Sequence, residues 1–297
     1  GETVCNSFAD ASLESAAHSS LVTPLPRTPI PLQEKEMQFT QIRSATVKVD
    51  FAGKKFLIDP MLSDKGTYPG FPGSVNSHLM WPTVELPVPV ADLLDVDAVI
   101  LTHLHPDHWD DAATESIPKD KLIFTQSEKD AQALRAVGYS NLRVMTQDTD
   151  FDGVHLKKTP GRHGEEAVFG GPWAEPLGEV CGVVFSHPSE KTLYLAGDTI
   201  WYSAVRDNID THKPDVIVLN SCDARVIDPT LGETSIIMGK DDVYAVCRAA
   251  PGATVIASHM EAVNHATLSR ANLQAFVNEN GLSAQVRIPA DGEAYTF

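Results

Sequence analysis

From Phe39 onward the chain alternates short apolar runs with turn residues, and the runs define its elements. Residues 39–51, FTQIRSATVKVDF, read as a strand, with Ala52, Gly53 and Lys54 turning into a second one that ends at Asp59. DAVILT, residues 97–102, is apolar without alternation, the pattern of a strand buried on both faces. KLIFT (121–125) predicts a further strand, followed by a helix over roughly 127–137 that Gly138 stops, and short strands near 142–145 and 152–159. A second series opens with CGVVFSH, a turn at Pro188, Ser189 and Glu190, and TLYLAGD. DVIVLN (215–220), a helix over roughly 240–250, TVIAS (254–258), a helix over roughly 267–280 ended by Gly281, and a last strand at QVRIP complete it. Two successive strand sets with helices between them predict an α/β protein, an αββα sandwich of two mixed β-sheets with helices on the outer faces.

Three segments depart from this texture. Residues 1–36 are rich in Ser, Ala and Pro, and TPLPRTPIPL suits neither helix nor inner strand because each proline lacks an N–H. They are expected to form an arm on the surface of the 37–297 domain or of a partner subunit, which would favour a homo-oligomer. Residues 60–95 and 164–179 are long and irregular, and such loops in a compact domain tend to cover functional sites. The first carries Tyr68, Phe71 and Trp81 among six prolines, the second Trp173. These aromatics are candidates for a substrate-binding wall, with packing of the loops onto the domain as the alternative.

Composition narrows the partners. The 297 residues carry a formal net charge of −17 and no basic stretch, which disfavours nucleic acid. No run of about 18 apolar residues is present to span a membrane. Cys5, Cys181, Cys222 and Cys247 form no C-x-x-C pair, so a thiolate zinc site or a disulfide framework is not expected, and Cys222 and Cys247 read as buried thiols. A chain that begins at Gly1 suggests a trimmed start. A cytoplasmic location is expected, with export after signal-peptide removal as the alternative.

The strongest chemical signal directly follows DAVILT. Thr102-His103-Leu104-His105-Pro106-Asp107-His108 offers four imidazole or carboxylate donors within six residues, the ligand types a borderline divalent cation prefers. In a turn leaving a strand, His103 and His105 can face one metal, and Asp107 and His108, at the start of the next helix, a second. His163 follows a strand within a glycine-flanked turn, Asp198 ends the strand LYLAGD, and His259 ends TVIAS. His265, six residues on, is the rival of His259, but a strand terminus fixes a ligand better than a loop. His155 alternates with Val154 and Leu156 and should face solvent, and His187 belongs to a hairpin tip.

H-x-H-x-D-H, an isolated histidine, Gly-Asp-Thr and a late histidine together resemble the metallo-β-lactamase superfamily. FLIDPML, HLHPDHWDD, GRHG and AGDT look most like its L-ascorbate-6-phosphate lactonase-like branch, over residues 38–297. The resemblance implies the αββα fold with a site at one edge between the sheets. It also implies His103, His105 and His163 on one divalent ion, Asp107, His108 and His259 on another, and Asp198 shared. Zinc is the expected metal, with manganese or iron as alternatives. Asp59 in LIDP would orient a ligand imidazole, unless it only caps the turn before Pro60.

A water held between two such ions, its pKa lowered to about 7, would attack a small-molecule substrate: a lactone, another ester or a phosphoester. Asp107 or Asp198 would serve the proton transfers, with His265 as a further candidate. Two other classes compete on the same fold, an iron oxidoreductase of the sulfur-dioxygenase kind and a non-catalytic metal-binding regulator.

Overall fold

The structure, a computed structural model, describes residues 36–297. The arm expected over 1–36 lies, Glu36 apart, outside them.

The first sheet is built from β1 (Gln38–Arg43), β2 (Thr46–Phe51), β3 (Lys54–Ile58), β4 (Ala98–Leu101), β5 (Ile123–Thr125) and β6 (Leu142–Val144). The second contains β7 (Thr149–Phe151), β8 (Val154–Pro160), β9 (Cys181–Ser186), β10 (Leu193–Leu195) and β11 (Val216–Asn220). A small hairpin, β12 (Arg225–Asp228) and β13 (Gly232–Ser235), stands apart. β14 (Thr254–Ser258) and β15 (Val286–Arg287) complete the second sheet, and β16 (Ala294–Thr296) returns to the first. The orders are β16-β1-β2-β3-β4-β5-β6 and β15-β14-β11-β10-β9-β8-β7, both mixed parallel and antiparallel.

Apolar runs without alternation fill both faces of their strands. In β3, β4 and β11 alternate residues divide between two cores. Phe56, Ile58, Ile100 and Val218 pack between the sheets, where Phe185 stacks edge-on at 5.4 Å from Phe56. Leu57, Val99 and Leu101 point outward to Ala113 of α1 (Asp111–Ser116) and Leu134 of α2 (Glu128–Ala136). Past the four-residue α3 (Ala174–Leu177), Ile217 and Leu219 meet Val205 of α4 (Ser203–His212), Val246 of α5 (Lys240–Ala249) and Leu273 of α6 (Arg270–Glu279). Each such side chain contributes roughly 1.5–3 kcal/mol on burial, and a mis-registered strand would turn its set toward the wrong core. This is the predicted helix–sheet–sheet–helix sandwich.

Four local expectations need correction. Residues 39–51 are two strands, because Ser44 takes φ 55° and closes a tight turn between β1 and β2. Asp107 and His108 precede α1 in a turn rather than starting it, since Asp110 is the cap, its carboxylate accepting from Ala113 N. The 164–179 segment carries a 3-10 turn at Glu166–Gly170 and α3. In the 60–95 loop Trp81 is buried between Tyr68 and Phe71, at ring distances of 4.5 and 4.7 Å. Arg43, wholly buried, ties that loop down by donating to the carbonyls of Met61, Ser63 and Val84. Among the described residues no helix is long and apolar enough to cross a membrane.

Candidate metal centre

The carboxyl ends of β3, β4, β8, β10 and β14 converge on one edge of the sandwich, the end of an open α/β sheet where ligands bind. Asp59 follows β3, His103, His105, Asp107 and His108 follow β4, His163 follows β8, Asp198 follows β10 and His259 follows β14. Of these only His105 is not buried. Gly197 makes the approach of Asp198 workable: its φ is 75° and a Cβ there would lie 2.4 Å from the Cys181 carbonyl oxygen.

Apart from a set made of Asp59, His103 and His108, the donors form two groups. The ligand atoms of His103, His105 and His163 lie within 4.8 Å of one another, as do those of Asp107, His108, Asp198 and His259. Asp198 touches both: its Oδ2 is 3.4 Å from His163 Nε2, 3.7 Å from His103 Nε2 and 3.0 Å from His108 Nε2, and its Oδ1 is 3.6 Å from His259 Nε2. Asn220 Nδ2 holds that Oδ1 at 2.8 Å.

Each imidazole is oriented from behind. His108 Nδ1 donates to Asp59 Oδ2 (2.8 Å), and His103 Nδ1 donates to Thr102 Oγ1 (3.0 Å), which donates to the same carboxylate oxygen (2.6 Å). His163 Nδ1 donates to the Ile236 carbonyl and His105 Nε2 to that of Pro176. His259 Nδ1 is 3.2 Å from Ser44 Oγ. With one ring nitrogen engaged, the other is free for a cation, the arrangement typical of histidine ligands. Asp59, both of whose oxygens are already taken by Thr102 and His108, is therefore placed to orient the imidazoles of His103 and His108. Asp59 and His259 both adopt positive φ, 49° and 63°, a strain of order 1–2 kcal/mol each that clusters at functional sites.

The metal-free electrostatics point the same way. Burial pushes the Asp198 carboxyl up, but His108 and His259 outweigh it and hold it well below the carboxylate range; Asp107 behaves alike beside His108. Burial depresses His108, yet Asp198, Asp107 and Asp59 raise it to about 10. The ring thus carries a proton where a cation would sit. Meanwhile His103 Nε2 is buried with no hydrogen-bond partner among the described residues, a costly state unless a cation completes it, and His259 Nε2 lies 3.2 Å from Asp107 Oδ2. These residues fit divalent metal.

A cavity of about 640 Å³ opens on the cluster. Its wall is mainly apolar, with Phe71 and Pro72 from the 60–95 loop, Trp173 and Leu177 from the 164–179 segment, and Val226 and Ile227 from the β12–β13 hairpin. Among the described residues no lysine or arginine lines it. Of the aromatics proposed for the wall, Phe71 and Trp173 reach it, whereas Tyr68 and Trp81 stand behind Phe71. His265 also lines it, and burial lowers its pKa to about 4. His155 pairs with Asp148 on the half-exposed face of β8, and His187 bonds Ser189 in its turn, both as expected. Ser44, Thr102 and Asn220 escaped sequence reasoning; Thr102 and Asn220, each ending an apolar run as the ligands do, carried a signal there.

A sandwich of two mixed sheets with a buried His/Asp cluster at the strand ends defines a class, and the comparisons agree. The model described as Beta-lactamase superfamily domain matches residues 54–260. The UPF0173 protein YddR of Bacillus subtilis is 52% identical over 262 residues, covering 88% of this chain and all of the relative. A UPF0173 metal-dependent hydrolase of Azorhizobium caulinodans is 25% identical over 267 residues, covering 87% of this chain and 99% of the relative. The solved structure of an isothiocyanate hydrolase from Delia radicum gut bacteria superposes with a TM-score of 0.84 at 48% identity, over 88% of this chain and 99% of that one. A possible metal-dependent hydrolase from Veillonella parvula gives 0.85 at 40% identity, over 88% of this chain and 100% of that one. The chain belongs to the metallo-β-lactamase superfamily and, within it, to the UPF0173 metal-dependent hydrolases.

Proposed function

We propose that the protein hydrolyses a small, uncharged, apolar molecule with an electrophilic carbon, an isothiocyanate being the reference substrate. The observation that carries this reading is the cavity wall directly above the donor cluster, apolar and, among the described residues, without lysine or arginine. Apolar walls with few polar groups select apolar ligands. The likeness to an isothiocyanate hydrolase supplies the substrate class. A lactone or other ester shares the electrophilic carbon and suits the same wall. A phosphoester, of which the lactonase-like resemblance is one source, brings an anion for which the wall has no lysine or arginine among the described residues, and it is the weaker fit.

His103, His105 and His163 would hold one divalent ion, and Asp107, His108 and His259 a second, with Asp198 shared. Such ions, zinc first, supply a water of pKa near 7 and a Lewis acid for the substrate. The protein's own groups do the rest. Asp59 keeps His103 and His108 in the tautomer that offers Nε2. Asp107 and Asp198, ionised at neutral pH, line the cavity and can take the proton of the attacking water. Water adds to the central carbon of R–N=C=S, forming a C–O bond and moving the C=N π pair to nitrogen, which takes up a proton. The resulting N-substituted thiocarbamic acid breaks its C–N bond, so that R–NCS and H2O give R–NH2 and COS.

The test is elemental analysis of the purified protein followed by a screen of phenethyl isothiocyanate, a γ-lactone, a phosphodiester and a β-lactam. Amine release from the isothiocyanate, fastest of the four, is expected. Preference for the phosphodiester would overturn the substrate class, and iron without hydrolysis would favour the redox alternative.

A further inference from the structure

The geometry points to His265 as the hydrogen-bond donor of the substrate cavity, holding through Nε2 the substrate heteroatom beside the attacked carbon. The substrate class rests on the hydrolytic reading above; the residue rests on separate observations.

His265 is 8% exposed and borders the cavity, its ring edge-on to Phe71 at a centroid distance of 4.9 Å. Its Nδ1 is buried with no hydrogen-bond partner among the described residues. The assignment places the ring proton on Nε2 and leaves Nδ1 as the acceptor. Nε2, unlike Nδ1, is not among the fully buried unpartnered atoms of a residue that lines the cavity. A neutral imidazole then presents one N–H to whatever fills that space.

The other polar side chains of the wall are committed. Ser74 Oγ donates to the Phe71 carbonyl (2.6 Å) and accepts from Asn264 Nδ2 (2.8 Å). Trp173 Nε1 is directed at the Ile227 carbonyl, 3.4 Å away. His105 and His163 each direct a ring N–H to a backbone carbonyl, and Asp107 and Asp198 are acceptors only. Among the lining side chains, that leaves His265 as the neutral donor.

It is also firmly mounted. Asn264, just before it, accepts from Phe71 N (3.2 Å) and donates to the Val75 carbonyl (3.0 Å). The His265 carbonyl accepts from Arg225 N (3.1 Å), and Thr267 Oγ1 donates to the Asp223 carbonyl (2.6 Å). The backbone on either side of the ring is thus held against the 60–95 loop and β12, and the ring itself packs edge-on against Phe71. As water adds to the carbon of an isothiocyanate, charge builds on the flanking nitrogen or sulfur, and a fixed donor there binds that state more tightly than the ground state.

The experiment uses zinc-loaded full-length protein and N-phenethylthiourea, an unreactive apolar probe with a C=S acceptor. Binding is followed by tryptophan fluorescence, and the His265 ring by ¹⁵N NMR. The wild-type spectrum should show the Nε2–H tautomer, its signal shifting as probe is added. His265→Leu should weaken the probe by about tenfold and lower kcat/KM on phenethyl isothiocyanate by at least as much, with zinc content unchanged. His265→Gln, which keeps an N–H, should recover most of the affinity. No probe binding by wild type, equal affinity in His265→Leu, or a proton on Nδ1 overturns the assignment. If the probe binds through His265 but no isothiocyanate is hydrolysed, the donor stands and the substrate reading falls.

Discussion

The donor cluster and the cavity above it are neighbours built on opposite principles. The cluster stands on five strand ends, and each imidazole is tied from behind to a carboxylate, hydroxyl or carbonyl. The wall comes from two irregular segments and a two-stranded hairpin, held by loop-to-loop contacts: Tyr68 pairs with Trp81, Ser74 bridges Val226, and Trp173 closes over Gly73. Gly73 takes φ 74°, and a Cβ there would lie 3.0 Å from the Trp173 ring, so that closure favours glycine. The difference separates bond breaking from recognition. The strand ends can keep one chemistry while the loops change what is bound.

The largest effect should come from the cluster. His108→Ala removes a donor and leaves Asp59, Asp107 and Asp198 without their central partner, and hydrolysis should fall about a thousandfold with loss of bound metal. Full metal content by elemental analysis in that variant would break the comparison at its root. One step back, Asp59→Ala should lower metal affinity or turnover by about 10–100-fold, read by competition with a chelating dye, because His103 and His108 both lose their anchor. An unaltered affinity would reduce Asp59 to a turn residue.

The wall should respond differently. Phe71→Ala is expected to raise KM about tenfold with metal retained, whereas Trp81→Ala should mainly lower the thermal midpoint, because Trp81 is buried behind the wall. A kinetic defect in Trp81→Ala larger than that in Phe71→Ala would reverse their roles.

The smallest effect concerns pH. In metal-free protein His108 is raised from 6.5 to about 10, so its contribution is fully present below pH 6.5 and fades as pH rises toward 10. His163 and His265 are lowered to about 4, so theirs is present above pH 6.5 and fades as pH falls toward 4. The metal-free thermal midpoint should therefore peak near pH 6.5 and drop by about 5 °C at pH 9, while metal-loaded protein stays flat over that range. A metal-free midpoint that rises between pH 6.5 and 9 would contradict the assigned environment of His108.

The same contrast governs what the sequence made legible. The sandwich was readable because DAVIL and VIVLN are too apolar for any strand but one buried on both faces. The candidate donors were legible as a set because histidine and aspartate stand at the ends of such strands, and the fold brings those ends together. α4 was missed because Val205 and Ile209 are its only buried residues, and one i, i+4 pair does not outweigh eight polar or small neighbours. The β12–β13 hairpin was missed for a similar reason: RVID and GETS hold too few apolar residues to alternate, and tertiary contacts with the 60–95 loop hold them in place. Trp81 illustrates the limit most plainly. Its sequence neighbourhood matched that of a wall residue, and only the packing of Tyr68 and Phe71 on either side assigns it to the loop's interior.

The central claim, that this cluster drives metal-dependent hydrolysis of an uncharged carbon electrophile, is tested most directly by metal removal and return. Protein stripped with a chelator should release amine from phenethyl isothiocyanate no faster than buffer, and titrated zinc should restore the rate, reaching a plateau at about two equivalents. Full turnover by the metal-free protein would contradict the account.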